Sequence, residues 1–146
     1  MKKSEPNNAM DVRVFKRRDA EEVKALWSRA FADDPPWNAP EEIIRHKLAV
    51  QPGLFLVGVL RSKVVAAVMA GYDGNRGWIY HLAVAPELQR NSLGRQMMGE
   101  AEARLRALGC PKINLQVRSS NSGVVKFYDR LGYSVEDRIS MGKRLD

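Results

Sequence analysis

The sequence predicts an α/β fold, a mixed central β-sheet of about six to seven strands flanked by about four helices on both faces. Three observations lead there. Residues 54–72, "LFLVGVLRSKVVAAVMAGY", are two apolar runs around a polar turn, the pattern of a strand hairpin. Strand-like "WIYHLAV" at 78–84 and "KINLQV" at 112–117 bracket an amphipathic helical stripe, so a strand–helix–strand crossover joins parallel neighbours. A chain of 146 residues with 45% hydrophobic content is long enough to bury one sizeable core.

The elements follow in order. The opening "MKKSEPNNAM" has two lysines but no apolar run behind them, so it reads as a flexible tail over residues 1–10 and not as a secretory signal. A single domain then fills 11–146. Val12–Phe15 is a short strand. "DAEE", Asp19 to Glu22, fits a capping box with Asp19 at the cap and Glu22 reaching back. Val23, Leu26, Trp27, Ala30 and Phe31 continue at helical spacing until the prolines of "DDPPWNAP" stop the helix. A second short helix covers Glu41–Val50.

The hairpin turns at Arg61–Lys63, a further turn spans Asp73–Gly77, and Trp78–Val84 is the next strand. Apolar residues at 93, 97, 101, 105 and 108 mark a helix that Gly109 caps. After the strand "KINLQV", Asn121 caps a helix ending near Gly132, and "YSVEDRISMGKRL" suggests two last short strands. The order is β-α-α-β-β-β-α-β-α-β-β. In such units ligands sit beyond the carboxyl ends of strands, at helix N-termini. That location falls on "APELQRNSLGR", just after Val84.

Bulk properties narrow the partners. No apolar run approaches the roughly 20 residues of a membrane helix. One cysteine, Cys110, excludes an internal disulfide and suits the cytoplasm. A net charge of +7 fits a solvated basic surface or a phosphate-rich cofactor. Only Lys16–Arg18 cluster tightly, and no aromatic-interleaved basic stripe accompanies them, so specific nucleic-acid binding is not expected. His46 has no partner at metal spacing, and no metal site is expected.

Two segments carry a family resemblance: "LAVAPELQRNSLGRQMM" from Leu82 and "LQVRSSNSGVVKFYDRLGY" from Leu115. The first resembles the acetyl-CoA loop of the GNAT superfamily of N-acetyltransferases, and the second its Asn-to-"FYxxLGY" segment. "LFLV", "GYDGNRG", "GCPKI" and the ending "GKRL" further resemble the small YpeA-like bacterial acetyltransferases. The resemblance spans about Asp11 to Leu145 and implies the GNAT fold, with acetyl-CoA as cosubstrate and direct transfer to an amine in a ternary complex. The acceptor would be a small-molecule amine, a protein N-terminus or a lysine, and a homodimer is common among relatives.

Site residues follow from the resemblance by position. Leu82, Ala83 and Val84 match the strand whose backbone binds the pantetheine arm and whose bulge frees an amide for the thioester carbonyl. Gln89, Arg90, Asn91, Ser92, Leu93, Gly94 and Arg95 match the loop whose amides hold the pyrophosphate. Asn121 matches an asparagine contacting the cofactor arm, and Tyr128 the tyrosine that protonates the leaving thiolate.

The loop departs from the family pattern, since Ser92 stands where it has its first glycine. A left-handed backbone there would cost serine about 1–2 kcal/mol. Candidates for the substrate contact or base are Tyr80, His81 and Gln116, although Gln116 replaces a glutamate and cannot accept a proton. His81 should point away from the site unless a bulge turns it. Trp27, Trp37, His46 and Tyr72 fall where relatives build the acceptor pocket, and each also reads as core. The rival reading is an acyl-CoA-binding module with little turnover, motivated by Ser92 and Gln116.

Overall fold

The computed structural model describes residues 9–31 and 39–145, which fall into two compact units, one ending at Gln116 and one beginning at Val117. The first unit holds a five-stranded sheet in sequence order: β1 (Asp11–Val14), β2 (Phe55–Leu60), β3 (Lys63–Tyr72), β4 (Gly77–Val84) and β5 (Ile113–Leu115). The first four strands pair antiparallel and β5 joins β4 in parallel. This is the expected mixed α/β architecture, with five strands among the described residues instead of six or seven.

Alternation along β2 divides the core between two layers. Phe55 and Val57 face helices α1 (Ala20–Ala30) and α2 (Pro40–Ala49), packing with Phe15, Val23, Leu26, Trp27 and Ile44. The Phe15 and Phe55 rings stack at 4.3 Å, and Trp27 lies nearly parallel to Phe55 at 6.0 Å. Burying each such ring is worth about 2–3 kcal/mol. Gly58 faces the other way, against Met97 of helix α3 (Leu93–Ala107) and against Met10. A Cβ there would come within 2.4 Å of the Met10 sulfur, so the glycine makes room for both methionines. Met10, counted with the tail in the sequence, is 3% exposed and belongs to the core.

The helical stripe of α3 buries Met97, Ala101 and Leu105 as its spacing requires, together with Met98, while Leu108 lies past the helix end and is exposed. Gly109, at φ +85°, closes the helix: its N–H donates to Arg106 and that of Cys110 to Leu105. Between β2 and β3, Arg61 and Ser62 both take positive φ, as a two-residue turn between right-twisted strands demands.

Two expectations need correction. Asp19 and Glu22 do not form a capping box. The Asp19 carboxylate, 5% exposed, instead accepts two bonds from the Arg13 guanidinium at 2.7 and 2.9 Å and one from the Lys16 N–H at 2.7 Å. Glu22 accepts from the Val64 N–H at 3.3 Å, tying α1 to β3. A buried carboxylate takes the strongest donor in reach, and a bidentate guanidinium outcompetes a helical amide. The two last strands are also absent among the described residues. In the second unit, helix α4 (Ser122–Arg130) starts at Asn121, which accepts from the Val124 N–H, and closes at Gly132. Beyond it Val135, Ile139, Met141 and Leu145 alternate like a strand but are at least 85% exposed. Alternation alone does not supply a ladder partner. Pro35, Pro36 and Trp37 lie outside the described residues.

The Arg13 hydrogen bonds hold the Asp19 carboxyl below its ordinary range, against the opposing effect of burial. A depressed folded-state pKa stabilises the fold above pH 4 and ceases to do so as pH falls through it. Asp19→Asn should therefore lower unfolding stability at pH 7 by about 2 kcal/mol. In urea titrations, the gap to wild type should close as the pH drops below about 4.

Candidate active site

The central irregularity lies in β4. Ala67 pairs with Ala83, yet Met69 pairs with Tyr80, so His81 and Leu82 together oppose Val68. One extra residue on one strand is a β-bulge. His81 carries it with φ +52°, a left-handed conformation that non-glycine residues rarely adopt. The bulge does turn the side chain. The imidazole packs against Trp27 of α1 at 5.2 Å and edge-on to Phe31, just past the helix end, at 5.6 Å. His81 is thus wedged among aromatic rings of the α1 layer, where it pins the bulge.

Downstream, Ala85 donates its N–H to Val65, and a short turn over Pro86–Leu88 leads into the loop. The Gln89 side chain donates to the Val84 carbonyl at 3.3 Å, tying the loop to the strand end. The Gln89 and Asn91 amides close local turns onto Pro86 and Leu88. Bonding within α3 starts with Gln96 N–H to Ser92 C=O, so the Leu93, Gly94 and Arg95 amides have no intrahelical acceptor. Those of Arg90 and Ser92 have no backbone acceptor among the described residues. Of the seven loop amides, those of Gln89 and Asn91 are engaged locally, and the other five have no backbone acceptor among the described residues.

Arg90 and Ser92 both have positive φ, +79° and +63°. Ser92, which stands where the resemblance implies a glycine, thus adopts the left-handed backbone, and the serine is strained. Electrostatics point the same way. The first turns of α1 and α2 carry Glu21, Glu22, Glu41 and Glu42, which complement the helix dipole. The first turn of α3 has no acid, and Arg95 adds a cation to it. This N-terminus suits an external anion such as a pyrophosphate.

Tyr80 and Trp78 lie on the α1–α2 side of β4, since their partners Met69 and Gly71 face the Phe55 core and α2 respectively. Tyr80 is 47% exposed; partial burial, then the Asp73 charge, push its phenol up. Gln116 follows β5 and is exposed. Trp27 is 3% exposed and is core. His46 is exposed beside Glu42 and Arg45. Tyr72 has its backbone held by Gln51. Among the described residues, no three His, Cys, Asp or Glu side chains gather where they could hold a metal ion. No described helix is long and apolar enough to cross a membrane.

In the second unit Asn121 and Tyr128 stand about two turns apart on α4. Tyr128 is 9% exposed, edge-on to Phe127 at 5.0 Å and to Tyr133 at 5.7 Å, and burial pushes its phenol up to about 12. Two features were not anticipated from sequence. Arg29 of α1 makes an ion pair with Glu87, and Asp73 accepts from the Trp78 indole. The first joins residues 58 apart and leaves no local pattern; the second is foreshadowed only by the "DGNRGW" turn.

A strand running into an anion-receptive helix N-terminus suits a ligand that carries phosphate groups. The model of the Acetyltransferase (GNAT) family matches residues 20–133. An acetyltransferase of Sodalis glossinidius is 43% identical over 137 residues, covering 93% of this chain and 96% of its own. The fold is similar to that of Ard1 from Thermoplasma volcanium, with TM-score 0.76, 21% identity and coverage of 88% and 84% of the two chains. It is likewise similar to the PaiA N-acetyltransferase of Thermoplasma acidophilum, solved with coenzyme A, with TM-score 0.73, 22% identity and coverage of 90% and 93%. The chain belongs to the GNAT family and is an N-acetyltransferase.

Relieving the strain at position 92 tests the loop directly. Ser92→Gly should stabilise the fold by about 1 kcal/mol, read as a higher Tm. Calorimetric titration with coenzyme A should nevertheless show affinity within tenfold of wild type; a larger gain would mark the serine as a burden on binding.

Proposed function

We propose that the protein transfers the acetyl group of acetyl-CoA to a primary amine by direct attack in a ternary complex. The observation that carries this is the β4 bulge at His81–Leu82 followed directly by the loop amides of Arg90–Arg95. The loop amides and Arg95 receive the pyrophosphate. The Leu82–Val84 backbone receives the pantetheine arm, and a bulge N–H polarises the thioester carbonyl. The amine nitrogen forms a bond to the carbonyl carbon, the oxyanion collapses, and the carbon–sulfur bond breaks with its electron pair leaving on sulfur.

Tyr128 returns a proton to that sulfur. A phenol held at about 12 is a weak acid beside a thiol near 8.5. Burial disfavours both anions, however, so the relevant gap is nearer the ordinary difference of about 1.5 units, or about 2 kcal/mol. That gap is small enough for proton transfer late in thiolate departure. The acceptor supplies its own difficulty, since an amine of pKa about 10.4 must lose a proton at a cost of about 4–5 kcal/mol at pH 7. Gln116 offers no carboxylate for this, and water relays the proton to bulk solvent.

The pH profile tests both roles. Thiol release should rise about tenfold per pH unit as the amine deprotonates. It should level off only above about pH 10.4 and hold to about pH 11, because Tyr128 keeps its proton up to about 12. A decline centred near pH 10 would mean an unburied phenol and a different acid. Tyr128→Phe should lower kcat by about a hundredfold with little change in KM. Tight acetyl-CoA binding with no thiol release across a broad amine panel would favour the acyl-CoA-binding module instead.

A further inference from the structure

Immediately upstream of the bulge, on the α1–α2 side of β4, Trp78 and Tyr80 form a two-ring platform. Their centroids lie 6.5 Å apart with planes within 22°, and Tyr80 is 47% exposed. Asp73 anchors the end of this platform. Its Oδ1 accepts from the Asn75 and Arg76 N–H groups at 2.8 and 2.7 Å, and its Oδ2 receives the Trp78 indole N–H at 3.4 Å. That indole contact is long and leaves Oδ2 able to accept more. The turn amides hold the Asp73 carboxyl below its ordinary range, so it is charged at neutral pH.

An aromatic face with an anionic edge attracts a cation and does little for a neutral or anionic group. Two described cations near it are bonded elsewhere. Arg76 donates its guanidinium to the Asn75 carbonyl and side chain. Lys47, on the same face near Gly71, donates to the Ala70 carbonyl at 2.5 Å, and burial lowers its pKa. The distance to the bulge fixes the geometry of a ligand. Across the bulge, Tyr80 to Ala83 spans the same length as Met69 to Ala67 on β3, about 7 Å. A group resting on the rings would thus lie about one short alkyl chain from the bulge, at the extended-strand rise.

We propose that Trp78, Tyr80 and Asp73 form a recognition site for the remote ammonium of a diamine-type acceptor, a short alkyl chain bearing a protonated amine at one end and the reacting amine at the other. This rests on the transferase reading above for its reactive end. On a chain of net charge +7 the selectivity for a cationic acceptor would rest on direct contact with the Asp73 carboxylate and the two ring faces.

Competing 1,4-diaminobutane against butylamine, with thiol release as the readout, tests the site. Wild type should favour the diamine in kcat/KM by about tenfold or more, and Tyr80→Leu and Asp73→Asn should each cut that preference to about threefold or less. Asparagine keeps the acceptor oxygen for the turn, so the second variant should fold. A second readout needs no turnover. The Trp78 indole N–H signal, assigned by its loss in Trp78→Phe, should shift on titration with 1,4-diaminobutane and not with 1-butanol. Equal use of both amines, or a preference unchanged in Asp73→Asn, overturns the proposal while leaving the transferase reading intact. A diamine-specific indole shift without thiol release from any amine would sustain the cation site and overturn the transferase reading.

Discussion

The extra residue in β4 is the constraint on which the remaining features depend. β4 is held between β3 and β5 only over Gly77–Ile79, and the bulge at His81–Leu82 falls just beyond that stretch, where β4 pairs with β3. Inserting one residue reverses the facing of everything beyond it. Tyr80 and Ala83, three residues apart, end on the same face, because their partners Met69 and Ala67 both belong to the α1-side core. The left-handed backbone of His81 is tolerated because its ring is wedged between Trp27 and Phe31. A strained φ of this kind costs about 1–3 kcal/mol and persists only where packing over-determines it.

The same economy of local strain recurs a few residues later. Arg90 and Ser92 hold positive φ without glycine's freedom. What they obtain is a chain that enters α3 with a set of amides free and no acid to neutralise them. The other helices of the first unit place glutamates in their first turns, and the contrast sets α3 apart as the anion-facing one. Strain at His81, Arg90 and Ser92 therefore follows β4 from the bulge to the helix, the path along which a long thioester with a pyrophosphate would lie.

Much of this was legible in the sequence, and the failures have physical reasons. The spacing of Met97, Ala101 and Leu105 identified α3 and its buried face, and Gly109 marked its end, because periodicity and backbone chirality are local properties. The "LQRNSLG" loop stood out through position and through its departure from a glycine-rich pattern. The conformation of Ser92 did not, since a serine is silent about φ. Asp19 was misread because its partner Arg13 lies on a preceding strand, and a local capping pattern cannot reveal a competing guanidinium. The alternation from Tyr133 to Leu145 suggested strands, but strands exist only in pairs, and pairing is not written in one segment. The bulge was foreseen only through the family resemblance, for nothing in "WIYHLAV" distinguishes it from a regular strand.

The central claim is that the bulge and the α3 N-terminus together hold acetyl-CoA. A crystal structure with a non-reactive thioether analogue of acetyl-CoA measures it most directly. The account predicts the analogue's carbonyl oxygen at hydrogen-bond distance, about 2.9 Å, from a backbone N–H of His81–Leu82. It also predicts the pyrophosphate on the amides of Leu93, Gly94 and Arg95. A pyrophosphate bound elsewhere, or a β4 that pairs regularly through Val68 once the analogue is bound, would contradict it.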